Sequence, residues 1–369
     1  MKREWKRAFS SMQIIKNRIF IGCLKKNKGP FILLLAKNNR FIVSAHYLCQ
    51  QKEEMQDEKK VPIHFAPLQG FTDAPYRNMH ETIFGGIDTY YTPFVRLEKG
   101  DSFRSRELRD IEQENNGVNH LIPQLIASTP DEMRKIVTLF REKGHTEADI
   151  NLGCPFPMLA RRHKGSGILP YPEEVAALLN CITEFPEMQF SVKMRLGWEN
   201  PDECLALLPL LNKLPLKQIT LHARVGKQQY KGETNWNAFE AFYRECKHPL
   251  IYNGDISTLE DINRLMARFP NLSGIMIGRG LLANPALAYE YQLGVALSKE
   301  EMLKRVKAFH SLVLSYYESH LQGDDQLVTK MKTFWEYLLP DMDKKAKKKI
   351  HKSTKYETYR SAISEALKL

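Results

Sequence analysis

The sequence has only six cysteines, and they show neither close pairing nor the spacing of a zinc site: Cys23, Cys49, Cys154, Cys181, Cys204 and Cys246. This predicts free thiols in a reducing compartment, and we expect a cytoplasmic protein without a metal site. No apolar run is long enough to span a bilayer. The N-terminal segment lacks the layout of a secretory signal, because its apolar run at residues 31–36 is short and charges continue on both sides. We therefore expect no membrane contact.

Acidic residues are scarce in only one part of the chain. Residues 1–54 carry 12 Lys and Arg against 3 Asp and Glu, a charge of +9, which leaves +2 of the total +11 for residues 55–369. The basic pI therefore belongs mostly to the N-terminal segment. Because this segment shows no clear helix or strand period, we predict a basic extension at residues 1–54. It would be either a loosely ordered tail or a segment ahead of a natural start at Met55.

From residue 61 onward, short apolar runs alternate with segments of helical spacing. Eight runs end in glycine, proline or a polar residue: residues 63–66, 89–95, 121–126, 148–152, 190–194, 218–222, 250–253 and 274–277. Residues 129–132 and 257–260 have the pattern of a helix start. Strand–helix alternation implies parallel strands, and eight repeats predict an α/β fold, a (β/α)8 TIM barrel at residues 61–294. A doubly wound open sheet is the alternative, which the lack of a Gly-x-Gly-x-x-Gly turn after the first run disfavours.

A single cysteine stands where the fourth run ends. Cys154 follows Gly153 and precedes Pro155 and Pro157, so the chain turns there and comes to the surface. Active sites of such barrels lie at the carboxyl ends of the strands. The position favours a reactive thiol, and the alternative is a turn whose cysteine only fills space.

Polar or turn residues end the other runs as well: Pro67 and Leu68, Gln124, Asn151, Lys193 and Arg195, His222, Asn253 to Asp255, and Gly278 with Arg279. Each alone could be an ordinary loop residue or a salt-bridge partner, but successive strand ends meet at one mouth. The last two turns lie where barrels often bind phosphate, with glycines for backbone approach and Arg279 for charge. They predict a phosphorylated cofactor, and two ordinary tight turns are the alternative.

Several motifs occur in a fixed order along the chain: residues 66–73, 151–155, 192–198, 222–224 with 229–232, 253–256, and 276–280 with 284–285. In type and order they resemble the motifs of the tRNA-dihydrouridine synthases, FMN-dependent enzymes that reduce uridines in tRNA. Other flavin barrels share some of them singly, but the cysteine, Lys-x-Arg and His-x-Arg motifs together are specific. One departure is Val225, which follows Arg224 where the family usually has threonine.

The resemblance implies that FMN lies across the barrel mouth and that NADPH reduces it. Pro67, Leu68, Gln124, Lys193 and His222 would then be at the flavin ring, and Asn253, Gly254, Asp255, Gly278 and Arg279 near the phosphate. Hydride would pass to C6 of a uridine, and Cys154 would donate a proton to C5 as general acid. Asn151 and Arg195 would bind the substrate. A pKa near the ordinary ~8.5 suits a thiol donor better than the depressed value of a nucleophile.

Residues 295–369 lose the strand runs and keep helical spacing, which predicts a helical domain. Lys330, Lys332 and the lysine-rich stretch 344–355 suit binding to a phosphate backbone, and the resemblance implies a C-terminal helical domain that holds tRNA. Arg161 and Arg162 are a second candidate tRNA contact, with a solvated loop as the alternative. Helical spacing places Phe334 and Trp335 in the core.

Two other functions remain open at this point. One is an FMN barrel acting on a free pyrimidine, similar to dihydroorotate dehydrogenases, and the other is a non-catalytic RNA-binding barrel. The basic helical region favours tRNA over a free pyrimidine. The intact Cys154, Lys193 and phosphate turns argue against a barrel without catalysis. We expect a monomer whose partner is tRNA.

Overall fold

The computed structural model describes residues 60–367 and three N-terminal strands, β1 (Cys23–Leu24), β2 (Phe31–Ala36) and β3 (Asn39–Val43). These three strands pair antiparallel in the order β1-β2-β3. That residues 1–54 form a separate basic extension stays a prediction, and Met55 lies outside the described residues.

A second sheet contains the remaining strands of the described chain. They are β4 (Ile63–Phe65), β5 (Thr89–Tyr91), β6 (Leu121–Ile122), β7 (Gln124–Leu125), β8 (Glu147–Leu152), β9 (Gln189–Gly197), β10 (Leu216–Val225), β11 (Leu250–Asn253) and β12 (Gly274–Ile277). The order is β6-β5-β4-β12-β11-β10-β9-β8-β7, and every neighbouring pair is parallel. Only Pro123 separates β6 from β7, so they are two halves of one strand and the sheet closes with eight strand positions. The predicted TIM barrel is confirmed.

Helices follow most of the strands. They are α1 (Ala74–Ile83), α2 (Ser105–Ile111), α3 (Pro130–Glu142), α4 (Pro157–Ala160), α5 (Pro172–Asn180), α6 (Glu203–Leu211), α7 (Trp236–Glu245), α8 (Leu259–Arg268), α9 (Arg279–Ala283) and α10 (Leu287–Leu293). Short 3-10 turns lie at Gln113–Asn115, Gly165–Ile168, Cys181–Glu184 and Gly226–Gln228. Both predicted helix starts are present, because Thr129 and Thr258 accept hydrogen bonds from backbone N–H groups in the first turns of α3 and α8.

Four further helices follow the barrel: α11 (Lys299–His320), α12 (Gly323–Trp335), α13 (Lys344–Lys352) and α14 (Tyr356–Leu367). Their apolar faces join the core around α1, where Phe309 packs edge-on against Tyr76 and Phe84. Trp335 is fully buried and its indole N–H donates to the Tyr359 hydroxyl at 2.8 Å. Phe334 is half-buried against the Phe309 ring. The prediction that these two aromatic residues belong to the core is confirmed.

Candidate active site

A cavity of about 580 Å³ opens at the carboxyl ends of the barrel strands. The predicted site residues that line it are Pro67, Leu68, Asn151, Cys154, Lys193, Arg195, His222, Asn253, Gly254, Asp255, Gly278 and Arg279. Glu336, Tyr337 and Lys347 from the C-terminal helical region complete one side. The volume falls within the range of small-molecule and cofactor sites.

The backbone around Cys154 is held from both sides. Its N–H donates to Asn151 Oδ1 at 2.8 Å, and its carbonyl accepts from the Ser166 N–H at 3.0 Å and from Ser166 Oγ at 2.9 Å. Gly165 lies against it with φ +62°, where an added Cβ would be 2.6 Å from the Cys154 carbonyl oxygen. Only glycine fits at that position. Burial raises the pKa of the Cys154 thiol, and this effect is larger than the lowering of the pKa by Arg195 and Lys193. The thiol is therefore protonated at neutral pH.

Gln124 does not line the cavity. It is 1% exposed, its Nε2 donates to Asp149 Oδ2 at 2.6 Å, and its Oε1 accepts from Asn151 Nδ2 at 2.8 Å. It therefore lies behind the cavity wall and bonds to a residue that forms the wall.

Two cations occupy the floor of the cavity. Lys193 Nζ donates to Asn253 Oδ1 at 3.1 Å, and Asn253 Nδ2 donates to the Met276 carbonyl, which ties β9, β11 and β12 together. Burial, followed by the charge of Arg195, lowers the pKa of Lys193 to about 8. Arg195 is 1% exposed and donates to the carbonyls of Gly153 and Val225, both at 2.9 Å. The floor is therefore positively charged.

A second cationic cluster lies at the ends of β10 and β12. Arg224 donates to both oxygens of the Asp255 carboxylate, and its bond to Oδ1 is 2.9 Å long. Arg279 donates to the same Oδ1, also at 2.9 Å. The Tyr230 ring stacks over this cluster, 4.6 Å from the Arg279 guanidinium carbon. His222 is buried, and burial lowers its pKa well below the ordinary 6.5, so its imidazole is neutral. Asp255 therefore fixes the two guanidinium groups at the rim of the cavity.

The two glycine turns permit close backbone approach at the same rim. Gly254 has φ +144°, and a Cβ there would lie 2.7 Å from Thr234 Cγ2. A Cβ on Gly280 would lie 1.9 Å from the Ile256 carbonyl oxygen, so the β11 and β12 turns touch directly. Among the described residues, Arg224 Nε is a buried donor without a partner. Cationic donors, glycine turns and apolar walls fit an elongated, phosphorylated aromatic group.

The family of this chain follows from comparison with known proteins. The family model described as "Dihydrouridine synthase" matches residues 64–367. The chain belongs to the dihydrouridine synthase family. The family that the motifs indicated is confirmed, and with it the prediction of an oxidoreductase enzyme.

Similar proteins include two tRNA-dihydrouridine synthases B. The one from Pasteurella multocida is 30% identical over 226 residues, which is 61% of this chain and 67% of that protein. The one from Vibrio cholerae is 26% identical over 263 residues, 68% of this chain and 80% of that protein. Among solved structures, a morphinone reductase aligns with a TM-score of 0.46 and 14% identity, covering 65% of this chain and 88% of the other.

The predicted tRNA-binding residues of this family member lie outside the cavity. Arg161 and Arg162 are exposed at the end of α4, whereas the neighbouring Lys164 is buried and pairs with Glu132 at 2.8 Å. Lys330 pairs with Asp73 at 2.7 Å and also donates to the Gly70 carbonyl, so it joins α12 to the loop after β4.

Lys332 is half-buried on the same helix. Of these lysines and arginines, Arg161 and Arg162 are the ones open to a large partner.

Some residues that line the cavity could not be assigned to it from the sequence. Tyr230 lies in a motif of the family, but its ring contacts Arg195 of β9 and Arg279 of α9, which are distant in sequence. Tyr337 and Lys347 reach the cavity from a region predicted only as a basic helical domain. The lysine-rich composition was the available signal for Lys347.

The described residues hold no group of three or more His, Cys, Asp or Glu side chains placed to bind a metal ion. Within the same part of the chain, every helix is too short or too polar to cross a membrane.

Proposed function

We propose that this protein is an FMN-dependent tRNA-dihydrouridine synthase that uses NADPH as reductant and Cys154 as general acid. In the net reaction, hydride adds to C6 of a uridine and a proton to C5, while NADPH is oxidised to NADP⁺. The observation that carries the proposal is the cysteine itself. Its thiol lines the cavity, its backbone is fixed on both sides, and its pKa is raised. A general acid must hold its proton until the reaction needs it.

The cavity residues support a flavin with a phosphate group. When bound, the flavin supplies the hydride. Lys193 and His222 would bind its ring beside Pro67 and Leu68, and the charge of Lys193 would stabilise an electron-rich ring. Asn253, Gly254, Gly278 and Arg279 would bind the phosphate, while Asp255 holds Arg279 in place through its 2.9 Å hydrogen bond. A cation and backbone N–H groups are the usual phosphate ligands in such barrels.

We propose that the barrel, residues 61–294, is catalytic and that the helical region, residues 295–369, binds tRNA. Helix α13 carries six lysines, of which five are exposed: Lys344, Lys345, Lys348, Lys349 and Lys352. Lys347 of the same helix lines the cavity, so this basic surface is continuous with the site. Phosphates of an RNA backbone would bind such a surface, and a free pyrimidine would have no use for it.

The test is dihydrouridine formation, measured by nucleoside mass spectrometry with purified protein, FMN, NADPH and tRNA that lacks modifications. Cys154→Ala should lose about 10²–10⁴-fold in rate, the usual contribution of a general acid. Cys246→Ala is the matched control, because Cys246 is a half-buried thiol outside the cavity. Full activity of Cys154→Ala would reassign the acid. No product, together with turnover of a free pyrimidine, would favour the dihydroorotate dehydrogenase-like function instead.

A further inference from the structure

A continuous chain of hydrogen bonds runs inside the barrel to the catalytic loop. Ser191 Oγ donates to Asp149 Oδ1 at 2.6 Å, and Gln124 Nε2 donates to Asp149 Oδ2 at 2.6 Å. Asn151 Nδ2 donates to Gln124 Oε1 at 2.8 Å, and Asn151 Oδ1 accepts from the Cys154 N–H at 2.8 Å. Asp149 is 0% exposed. A buried carboxylate therefore connects through two carboxamides to the backbone of the cysteine.

The carboxylate determines the direction of every bond in this chain. An ionised carboxylate only accepts, so Gln124 must turn its amino group toward Asp149 and its oxygen toward Asn151. Asn151 must then turn its amino group toward Gln124 and its oxygen toward the N–H groups of Gly153 and Cys154. Both lone pairs of the Asn151 oxygen are then used, and one N–H remains for the cavity that this residue lines.

The surroundings of Asp149 allow it to stay ionised. Burial raises the pKa of Asp149 to about 6. Its hydrogen bonds with Gln124 and Ser191 and the charge of Lys193 lower the pKa, but by less than burial raises it. Tyr91 also faces Asp149, and its hydroxyl is neutral because burial raises its pKa well above the ordinary 10.0. Above pH 7 the carboxylate is therefore mostly charged and accepts both hydrogen bonds.

We propose that Asp149 is a positioning residue, which through Gln124 orients the Asn151 carboxamide so that it holds the Cys154 loop and presents an N–H donor to the substrate. The catalytic part of this inference rests on the proposed function, whereas the control of the Cys154 loop does not. Misplacement of a catalytic group by about 1 Å can cost about 10²-fold in rate.

The sharpest variant is Gln124→Glu, which puts two carboxylates in contact. They must share one proton, and the chain is intact only while that proton is present. The ratio of Q124E to wild-type kcat should fall by about tenfold per pH unit once the shared proton is lost. Gln218→Glu makes the same substitution near the other end of the barrel, where Gln218 donates to Tyr91, and should show no such decline. If the ratio of the Q124E kcat to the wild-type kcat is constant between pH 6 and 9.5, the proposal is overturned.

Two substitutions of Asp149 give a second readout. Asp149→Leu removes the acceptor, whereas Asp149→Asn keeps an oxygen for Gln124, so D149N should retain more of kcat than D149L, with little change in KM. The rate of Cys154 alkylation at pH 9, followed by peptide mass spectrometry, should rise several-fold in D149L and less in D149N. Equal alkylation rates in wild type and D149L would contradict the proposal. If D149L does not fold, the Q124E ratio decides.

The alkylation assay also separates this proposal from the proposed function. Wild-type protein that forms no dihydrouridine would refute the reaction, while a rise in Cys154 alkylation in folded D149L would still support the positioning role.

Discussion

Gly165→Ala should slow catalysis far more than its cost in stability explains. Gly165 has φ +62°, and its added Cβ would lie 2.6 Å, 2.8 Å and 2.9 Å from the carbonyl oxygen, Cβ and N of Cys154. All three distances are below 3.0 Å, and two of the atoms are backbone. The left-handed conformation alone costs alanine roughly 1–2 kcal/mol. Relief of these clashes must move Cys154, so we expect kcat for dihydrouridine formation to fall by about 10²-fold.

Gly294→Ala is the matched control for this prediction. Gly294 has φ +75°, and an added Cβ would meet nothing within 4 Å, so the variant has the same backbone strain without the clash. Both variants should lose roughly 1–2 kcal/mol in urea unfolding, and Gly165→Ala somewhat more. Only Gly165→Ala should lose kcat. If the two variants have equal kcat, the close approach of Gly165 does not position the cysteine.

Three further predictions concern charge and surface. The rate at which NADPH reduces the bound flavin, measured by stopped-flow absorbance, should fall above about pH 8, because Lys193 is charged below that pKa and neutral above it. Lys193→Arg should lack this decline. A wild-type rate that does not change with pH would refute the prediction. Phe156 lies two residues after Cys154 and is 53% exposed. If its ring stacks on a base of the tRNA, Phe156→Ala should raise KM for tRNA about tenfold. Val295 is also an exposed apolar side chain, and Val295→Ala should leave this KM unchanged. Replacing Lys344, Lys345 and Lys348 with glutamine should lower the slope of log K against log salt by about 0.7–0.9 for each RNA phosphate that the variant no longer neutralises; an unchanged slope would place the tRNA elsewhere.

The barrel could be predicted because its strands and turns are local features. Each run of apolar residues is buried on both faces and ends in a turn residue, so the pattern does not depend on distant parts of the chain. The polar strand ends then meet because all parallel strands end at the same mouth. The sequence alone therefore assigns Asn151, Lys193 and His222 to one cavity.

Pairings between distant segments could not be predicted in the same way. The sequence predicts Gln124 at a strand end, but after the break at Pro123 it begins β7, and its bond to Asp149 holds it behind the cavity wall. The sequence indicates an exposed cation at Lys330. In the structure Lys330 pairs with Asp73, which lies more than 250 residues earlier in the chain. Lys164 belongs to a basic run, yet it is buried against Glu132. Composition gives the charge of such residues but not the carboxylate that neutralises it.

Burial, more than charge, determines which group in the site can donate a proton. It raises the pKa of the Cys154 thiol although Lys193 and Arg195 lie near enough to lower it, and it lowers the pKa of Lys193 and His222. His222 is neutral, and its Nε2 faces Arg224 Nη1 at 3.4 Å. Because arginine has no acceptor, that nitrogen carries no proton. A nucleophilic cysteine needs a depressed pKa, which this site does not provide. The environment therefore suits the proposed role of Cys154 as an acid, and the charge of Lys193 would be left to stabilise the proposed flavin.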